Sequence, residues 1–305
     1  MLMPDKEDFD AFNTIVHTGP RNFIRCNTLK MSPEHLLKRL RKRWNVVQPF
    51  SGYPEIMLVE QALGPGELGS AMEHLLGYYY IQEISSMMSA LALDPQPGEL
   101  VLDLCASPGS KTTQIAARME NRGTLLANDI KLDRIKILSA NMERCGVMNS
   151  IVTREDAVGL CMRLAKRGWK FDRILLDVPC SGEGTLRSSP KTFLMWNIKV
   201  VQNLSRQQMK LLANALKCLK VGGTLVYSTC THAPEENEAV IHFALERFPV
   251  KVEHVKLPLR CRPGVTSWKD ERYDAAVEQT CRIYPQDNDT EGFFVSRLKL
   301  LKEIE

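Results

Sequence analysis

The sequence predicts a doubly wound, mostly parallel α/β sheet with a late antiparallel strand, set behind a small N-terminal α+β unit. Three observations carry that prediction. From about Gln96 onward, short apolar runs alternate with helical stretches, the rhythm of parallel strands joined by crossovers. Several of those runs end on an aspartate or on a Gly/Pro/Ser turn. Residues 1–75 break the rhythm, with two strand-like runs around one basic helix, and a Gly64-Pro65-Gly66 and Gly69 cluster closes them off.

In chain order, Arg21–Leu29 reads as a strand, Pro33–Trp44 as a helix rich in Lys and Arg, and Ile56–Val59 as a second strand. The basic stretch Leu36–Arg43 is either a phosphate-contacting face or a solvated helix flank. Residues 76–305 form the larger unit. Glu99–Leu104 is its first strand, followed by a Gly/Pro/Ser turn and a Lys111–Met119 helix. Thr124–Asn128 runs into Asp129, and Leu132–Cys145 is an amphipathic helix stopped by Gly146. Ser150–Thr153 ends near Asp156, before a Val158–Lys166 helix. Phe171–Leu176 ends at Asp177, before helical Phe193–Leu219 and a Val221-Gly222-Gly223 stop. Thr224–Tyr227 and a Pro234–Phe248 helix follow. Gly292–Leu298 alternates and is expected to pair antiparallel at the sheet edge.

The 305 residues are 44% hydrophobic and 25% charged, an ordinary globular composition, and a net charge of +4 permits an anionic partner without demanding one. No run of roughly 18 apolar residues suggests a membrane span, and the acidic start, Met1–Asp10, is no signal peptide. None of the nine cysteines forms a Cys-x-x-Cys pair or a metal-finger spacing with histidine. Free thiols in a reducing compartment, no metal and a cytoplasmic enzyme are the expectation.

Ligands of open α/β sheets bind outside the carboxyl ends of the strands. The turn Asp103–Thr112 fits a ligand approaching a helix N-terminus, but it is neither Gly-x-Gly-x-x-Gly nor a Walker loop. Asp129, about 20 residues on, suits two ribose hydroxyls. Asp156 and Asp177 end the next strands. A lone strand-end aspartate is often only a cap or turn former; four in register outline a nucleoside-sized slot. S-adenosylmethionine suits it better than a nicotinamide cofactor, since the slot needs no pyrophosphate site.

Two cysteine stretches, Asp177-Val178-Pro179-Cys180 and Ser228-Thr229-Cys230, follow apolar strands and bring two thiols and a carboxylate toward one edge. That set suits carbon 5 of cytosine, a poor nucleophile until a thiolate adds at carbon 6. A base must then remove the carbon-5 proton, and a hydrogen-bonding group at ring nitrogen 3 stabilises the developing charge. Either thiol alone is as readily a buried structural cysteine. The residues themselves do not order the two.

These motifs resemble the Nop/Sun family of RNA cytosine-5 methyltransferases over nearly the whole chain. The residues that carry the resemblance are Arg25–Lys30, Gln82–Ser86, Asp94–Gly98, Asp103–Thr112, Asp177–Cys180, Ser228–Cys230 and Gly292-Phe293-Phe294. It implies a Rossmann-like class I methyltransferase domain behind a small RNA-binding domain. It also implies that Cys230 is the nucleophile, that Cys180 helps release the product, and that Asp177 contacts both cofactor end and cytosine. S-adenosylmethionine would be held by Cys105, Ala106, Ser107, Pro108, Gly109, Ser110 and Lys111 with Asp129 and Asp156, and Arg134 matches a family position near it. Ser110 stands where the family often has glycine, and Gln286 where histidine is common.

The chain resembles the compact tRNA-directed, archaeal-like members, so tRNA is the first expected partner and ribosomal RNA the second. A DNA cytosine-5 methyltransferase would leave Cys230 without a task and would place Gln, not Ser181, after the Pro-Cys thiol. A non-catalytic RNA-binding scaffold would not need the thiols and the cofactor loop, and a dehydrogenase would need a dinucleotide fingerprint.

Overall fold

The computed structural model describes residues 2–3 and 5–304. The chain opens with α1 (Lys6–Ile15), then β1 (Asn22–Cys26), α2 (Pro33–Leu40), β2 (Val46–Val47), β3 (Ile56–Val59), α3 (Glu67–Ser70), α4 (Met72–Leu75) and β4 (Tyr79–Ile81). The four strands form an antiparallel sheet in the order β2-β3-β1-β4. Because β4 belongs to it, this small sheet runs past residue 75, and we place its end at Ile81. On α2, Ser32 caps the N-terminus by accepting from the His35 N–H at 3.3 Å, with Pro33 in the first turn. Leu36 and Leu40 are buried against the sheet, while Lys38, Arg39, Lys42 and Arg43 face solvent.

The larger unit continues with α5 (Ile84–Leu93), β5 (Leu100–Asp103), α6 (Ser110–Arg118), β6 (Thr124–Asp129), α7 (Leu132–Cys145), β7 (Ser150–Arg154), α8 (Ala157–Lys166) and β8 (Phe171–Asp177). Then come α9 (Lys191–Met195), α10 (Ile198–Lys217), β9 (Leu219–Thr229), α11 (Glu238–Arg247) and β10 (Val250–Glu253). It closes with β11 (Arg262–Pro263), β12 (Ser267–Trp268), β13 (Glu271–Arg272), β14 (Cys281–Ile283), α12 (Pro285–Asn288) and β15 (Phe293–Leu300). The main sheet has the order β11-β14-β15-β9-β8-β5-β6-β7, with β10 also on β15. From β7 to β9 every pairing is parallel, and β15 joins β9 antiparallel. The central strands are apolar on both faces because helices cover both. Leu102, Ile174, Leu176 and Leu225 pack with α8 and α10, while the alternating Val101, Leu175 and Val226 pack with α5 and α6.

Several expectations are corrected. The late strand β15 is antiparallel but lies inside the sheet, because the segment after α11 adds β10 and β14 beyond it. The long helix expected over residues 193–219 is two helices, broken at Trp196–Asn197, where Asn197 accepts from the Lys199 N–H at 2.8 Å and caps α10. Val221-Gly222-Gly223 is no stop: it lies within β9, which begins at Leu219, with Gly222 at φ +78°. The helix expected from Pro234 starts only at Glu238, after a turn. Cys261 and Cys281 are not free thiols. The antiparallel β11–β14 pairing brings their Cα atoms to 5.0 Å, and they form a disulfide. The other seven cysteines are free. Among the described residues no helix is long and apolar enough to cross a membrane.

The two units are joined by buried polar groups. Arg25 on β1 donates to the Ser110 carbonyl at 2.7 Å, to Thr113 Oγ1 at 2.8 Å and to Gln82. Helix α1 precedes the small sheet but packs on α12. Its Asp8 takes both Arg262 Nη atoms at 2.6 Å and Gln286 Nε2 at 2.9 Å.

Candidate active site

The order of winding reverses at β5, whose two parallel neighbours, β6 and β8, come from opposite sweeps of the chain. A crevice therefore opens at the carboxyl ends of these strands. After β5 the chain turns at Leu104–Gly109 into α6, with a cis Ser107–Pro108 bond and Gly109 at φ +105°. A Cβ at Gly109 would lie 3.1 Å from Leu138 Cδ1, so the turn needs glycine both for its φ and for its approach to α7. The turn is held from several sides. The Ala106 N–H donates to the Asn128 carbonyl at 2.8 Å, Arg134 Nη2 to the Ser107 carbonyl at 2.7 Å, and Asn141 Nδ2 to the Pro108 carbonyl at 2.9 Å.

Beside it lies a cleft of about 630 Å³ lined by Cys105, Asp129, Arg134, Asp156, Val178 and Gln208, among others. Asp129 accepts from Arg134 Nε at 3.0 Å, and Asp156 caps α8 through the Gly159 N–H at 2.8 Å. At the cleft floor, burial pushes the Asp103 carboxyl up to about 7, against the hydrogen bond from Thr112 Oγ1 at 2.7 Å. Burial likewise pushes the Cys105 thiol up, so it stays neutral. The lining carries three carboxylates, Asp129, Glu155 and Asp156, beside Lys131, Lys210 and an Arg134 already paired with Asp129. Acceptors for hydroxyls and an amine on otherwise largely apolar walls fit a nucleoside with a charged tail.

A second cleft, of about 410 Å³, shares Val178 with the first and is lined by Glu83, Ser86, Lys111, Asp177, Cys230 and Phe293, with others. Both Asp177 oxygens are held. Oδ2 meets Lys111 Nζ at 2.8 Å, and Oδ1 accepts from Ser228 Oγ at 2.7 Å, which in turn accepts from Ser89 Oγ at 2.9 Å. Lys111 also donates to Ser86 Oγ at 2.8 Å and lies 5.4 Å from the Phe293 ring centre. The parallel register pairs Asp177 with Ser228, so the residues just past β8 and β9 emerge side by side.

There Cys180 Sγ and Cys230 Sγ are 3.2 Å apart. The hydrogen bond from Cys180 lowers the Cys230 pKa, against desolvation, while the same bond and burial raise that of Cys180. Of the two, Cys230 is the readier to ionise. The loop carrying Cys180 is pinned by Glu236, which accepts the Ser181 N–H at 3.2 Å and Gln208 Nε2 at 2.7 Å. The Gly184 N–H reaches the Cys230 carbonyl at 2.9 Å, and the Gly292 N–H reaches the Gly184 carbonyl at 2.8 Å.

The residues singled out from sequence thus distribute between two adjoining clefts. Cys105, Asp129, Arg134 and Asp156 line the first, and Ala106, Ser107, Pro108, Gly109 and Ser110 form the turn next to it. Lys111 is the exception among the cofactor residues. Its ammonium points away from the turn to Asp177, because α6 starts at Ser110 and directs the next side chain toward α5 and β15. Asp177, Cys180 and Cys230 come together as their strand ends suggested. Gln286 lies at the α1 contact. Sequence reasoning missed Ser228, Ser89, Ser86, Glu236 and Phe293. Three of them lie in quoted motifs, and only strand register shows what they touch.

Residues 90–299 match the family described as 16S rRNA methyltransferase RsmB/F. A tRNA (cytosine(49)-C(5))-methyltransferase of Pyrococcus abyssi is 41% identical over 97% of this chain and 93% of its own length. The ribosomal RNA small subunit methyltransferase F of Shigella dysenteriae is 40% identical over 99% of this chain, which spans only 62% of that relative. Among solved structures, a methyltransferase homolog protein from Pyrococcus horikoshii superposes with a TM-score of 0.83 at 32% identity, covering 98% of this chain and 96% of that one. NSun6 from Pyrococcus horikoshii, solved with SFG, gives 0.83 at 25% identity over 98% and 95%.

Proposed function

Since this chain belongs to the RsmB/F branch of the S-adenosylmethionine-dependent RNA cytosine-5 methyltransferases, we propose that it methylates a cytosine of tRNA through a covalent Cys230 adduct. The observation that carries the mechanism is the thiol pair, 3.2 Å apart, with the more acidic Cys230 lining the second cleft and Cys180 behind it. The first cleft holds S-adenosylmethionine, with Asp129 and Asp156 as acceptors for ribose and base and the Cys105–Ser110 turn against the tail. When bound there it supplies an electrophilic methyl group.

In the second cleft, the Cys230 thiolate forms a bond to carbon 6 of the target ring. The electron pair displaced from the 5,6 double bond makes carbon 5 nucleophilic. Asp177, held by Lys111 and Ser228, accepts from the ring's exocyclic amine, and the Lys111 ammonium beside it offsets the negative charge that develops at nitrogen 3. After methylation the carbon-5 proton passes to water, the double bond re-forms, and the Cys230 sulfur leaves as thiolate, its departure assisted by the hydrogen bond that the neutral Cys180 thiol donates to it. Lys111 thereby serves the base cleft rather than the cofactor cleft. The target must leave its stack to reach Cys230, so loops and strand ends of folded RNA are the natural substrates.

Support for tRNA over ribosomal RNA comes from the tRNA-directed relative of Pyrococcus abyssi, 41% identical over 97% of this chain. The test is to incubate the protein and cofactor with unmodified tRNA and with small-subunit RNA, then map protected cytosines by bisulfite sequencing. Protection at one tRNA cytosine is expected; protection in ribosomal RNA alone would reassign the substrate, and none in either would remove the activity.

A further inference from the structure

Beside the base cleft the chain holds apolar side chains out in water. Phe193 is 75% exposed, Leu194 84% and Trp196 49%. Single exposed apolar residues need no explanation, but three within one turn beside a cleft are a patch with a purpose. They lie on α9 and the break before α10, between exposed Lys191 and Lys199, and no carboxylate occurs from Lys191 to Val200.

This segment is fastened to the thiol loop. Trp196 Nε1 donates to Glu183, whose other oxygen accepts from Thr231 Oγ1 at 3.1 Å, one residue past Cys230. Thr192 Cγ2 lies 3.7 Å from where a Gly182 Cβ would stand, two residues past Cys180. Thr185 and Ser188, between that loop and α9, line the base cleft itself. The apolar turn therefore sits at the rim through which a base enters.

We infer that α9 is an RNA-facing wedge. Phe193 and Leu194 pack against the bases flanking the target, occupying the gap its extrusion leaves, while Lys191 and Lys199 meet the flanking phosphates. The inference rests on the reading that an RNA cytosine enters the second cleft. Extruding a base costs stacking, and apolar side chains inserted in its place recover part of that cost. The charge pattern favours a polyanion, and a protein seated on this turn would close the route to Cys230.

The test compares two RNAs bearing the same target sequence, one with the cytosine stacked in a folded hairpin and one an unstructured oligonucleotide. Stacking on an aromatic side chain contributes about one to two orders of magnitude in affinity. The double variant Phe193→Ala/Leu194→Ala is expected to lose about tenfold in kcat/KM on the hairpin and several-fold less on the oligonucleotide, which needs no extrusion. With 2-aminopurine next to the target, wild-type protein is expected to raise its fluorescence on binding and the variant not to do so.

Equal loss on both RNAs, no loss on either, or a wild-type dimer that the variant dissolves would overturn the wedge. If wild-type protein methylates neither RNA, the proposed function itself fails. Comparing two substrates within one variant separates the wedge from any folding defect.

Discussion

Cys230 and Cys180 share one hydrogen bond, yet the bond acts on them in opposite senses, since it stabilises the thiolate of one and the neutral form of the other. Replacing Cys230 by Ala is therefore expected to abolish methylation, measured by transfer of labelled methyl groups to tRNA. Cys180→Ala should instead accumulate a protein–RNA adduct that survives denaturing electrophoresis; turnover with no adduct would take Cys180 out of the mechanism. The two thiols were legible in sequence because each follows an apolar strand. Their order was not, since it depends on which sulfur is hydrogen-bonded and how deeply each is buried. A different residue controls acid stability. Burial, with the Arg282 charge, holds His232 down at about 3, so between there and its ordinary 6.5 the unfolded chain binds a proton that the folded one refuses. Folding stability should thus fall as pH drops below 6.5, by about 2 kcal/mol over the first 1.5 units or so. In His232→Phe that slope should flatten, as read from urea midpoints at successive pH values.

At the scale of elements, the thiol loop is locked by a contact that tolerates no side chain. A Cβ at Gly184 would lie 2.3 Å from the Gly292 carbonyl oxygen and 2.9 Å from that of Cys230, both backbone atoms that cannot swing aside. Gly184→Ala should push the two loops apart, lowering kcat at least about tenfold while costing only about 1–3 kcal/mol of stability, the usual penalty for overpacking. A variant with full activity would show that the loop spacing is immaterial. The parallel strands were legible because each is a short apolar run bounded by a turn. Helix α5 was not, because nearly all of Ile84–Leu93 is buried and a helix apolar on every side has no period to read. The segment from β10 to β14 escaped for another reason: its strands are two to four residues long and exist only by pairing with β15 or with one another.

Across the whole molecule, the small sheet and the methyltransferase unit meet at buried Arg25. Truncating it to alanine would leave the Gln82 side-chain oxygen without its donor and take one of two side-chain donors from the Ser110 carbonyl, a loss of about 2–3 kcal/mol. Because Ser110 opens α6 directly after the cofactor turn, Arg25→Ala should weaken S-adenosylmethionine binding as well, and calorimetric titration against urea unfolding would separate the two effects. That the first strands stand apart from the later strand–helix rhythm was legible, but the extent of their sheet was not. Strand β4 follows the Gly/Pro cluster that reads as a boundary, and it joins the small sheet only through its register with β1.

Helix α1 does not belong physically to the sheet it precedes, since its Asp8 is clamped to Arg262 beside the last helix. The small sheet is thus an excursion that leaves the catalytic body after Pro20 and returns at Gln82. A test of whether the small sheet selects the RNA should transplant residues 22–81 as a cassette and leave the first helix in place. A chimera cut at the start of the chain would discard a brace of the active-site half along with the small sheet.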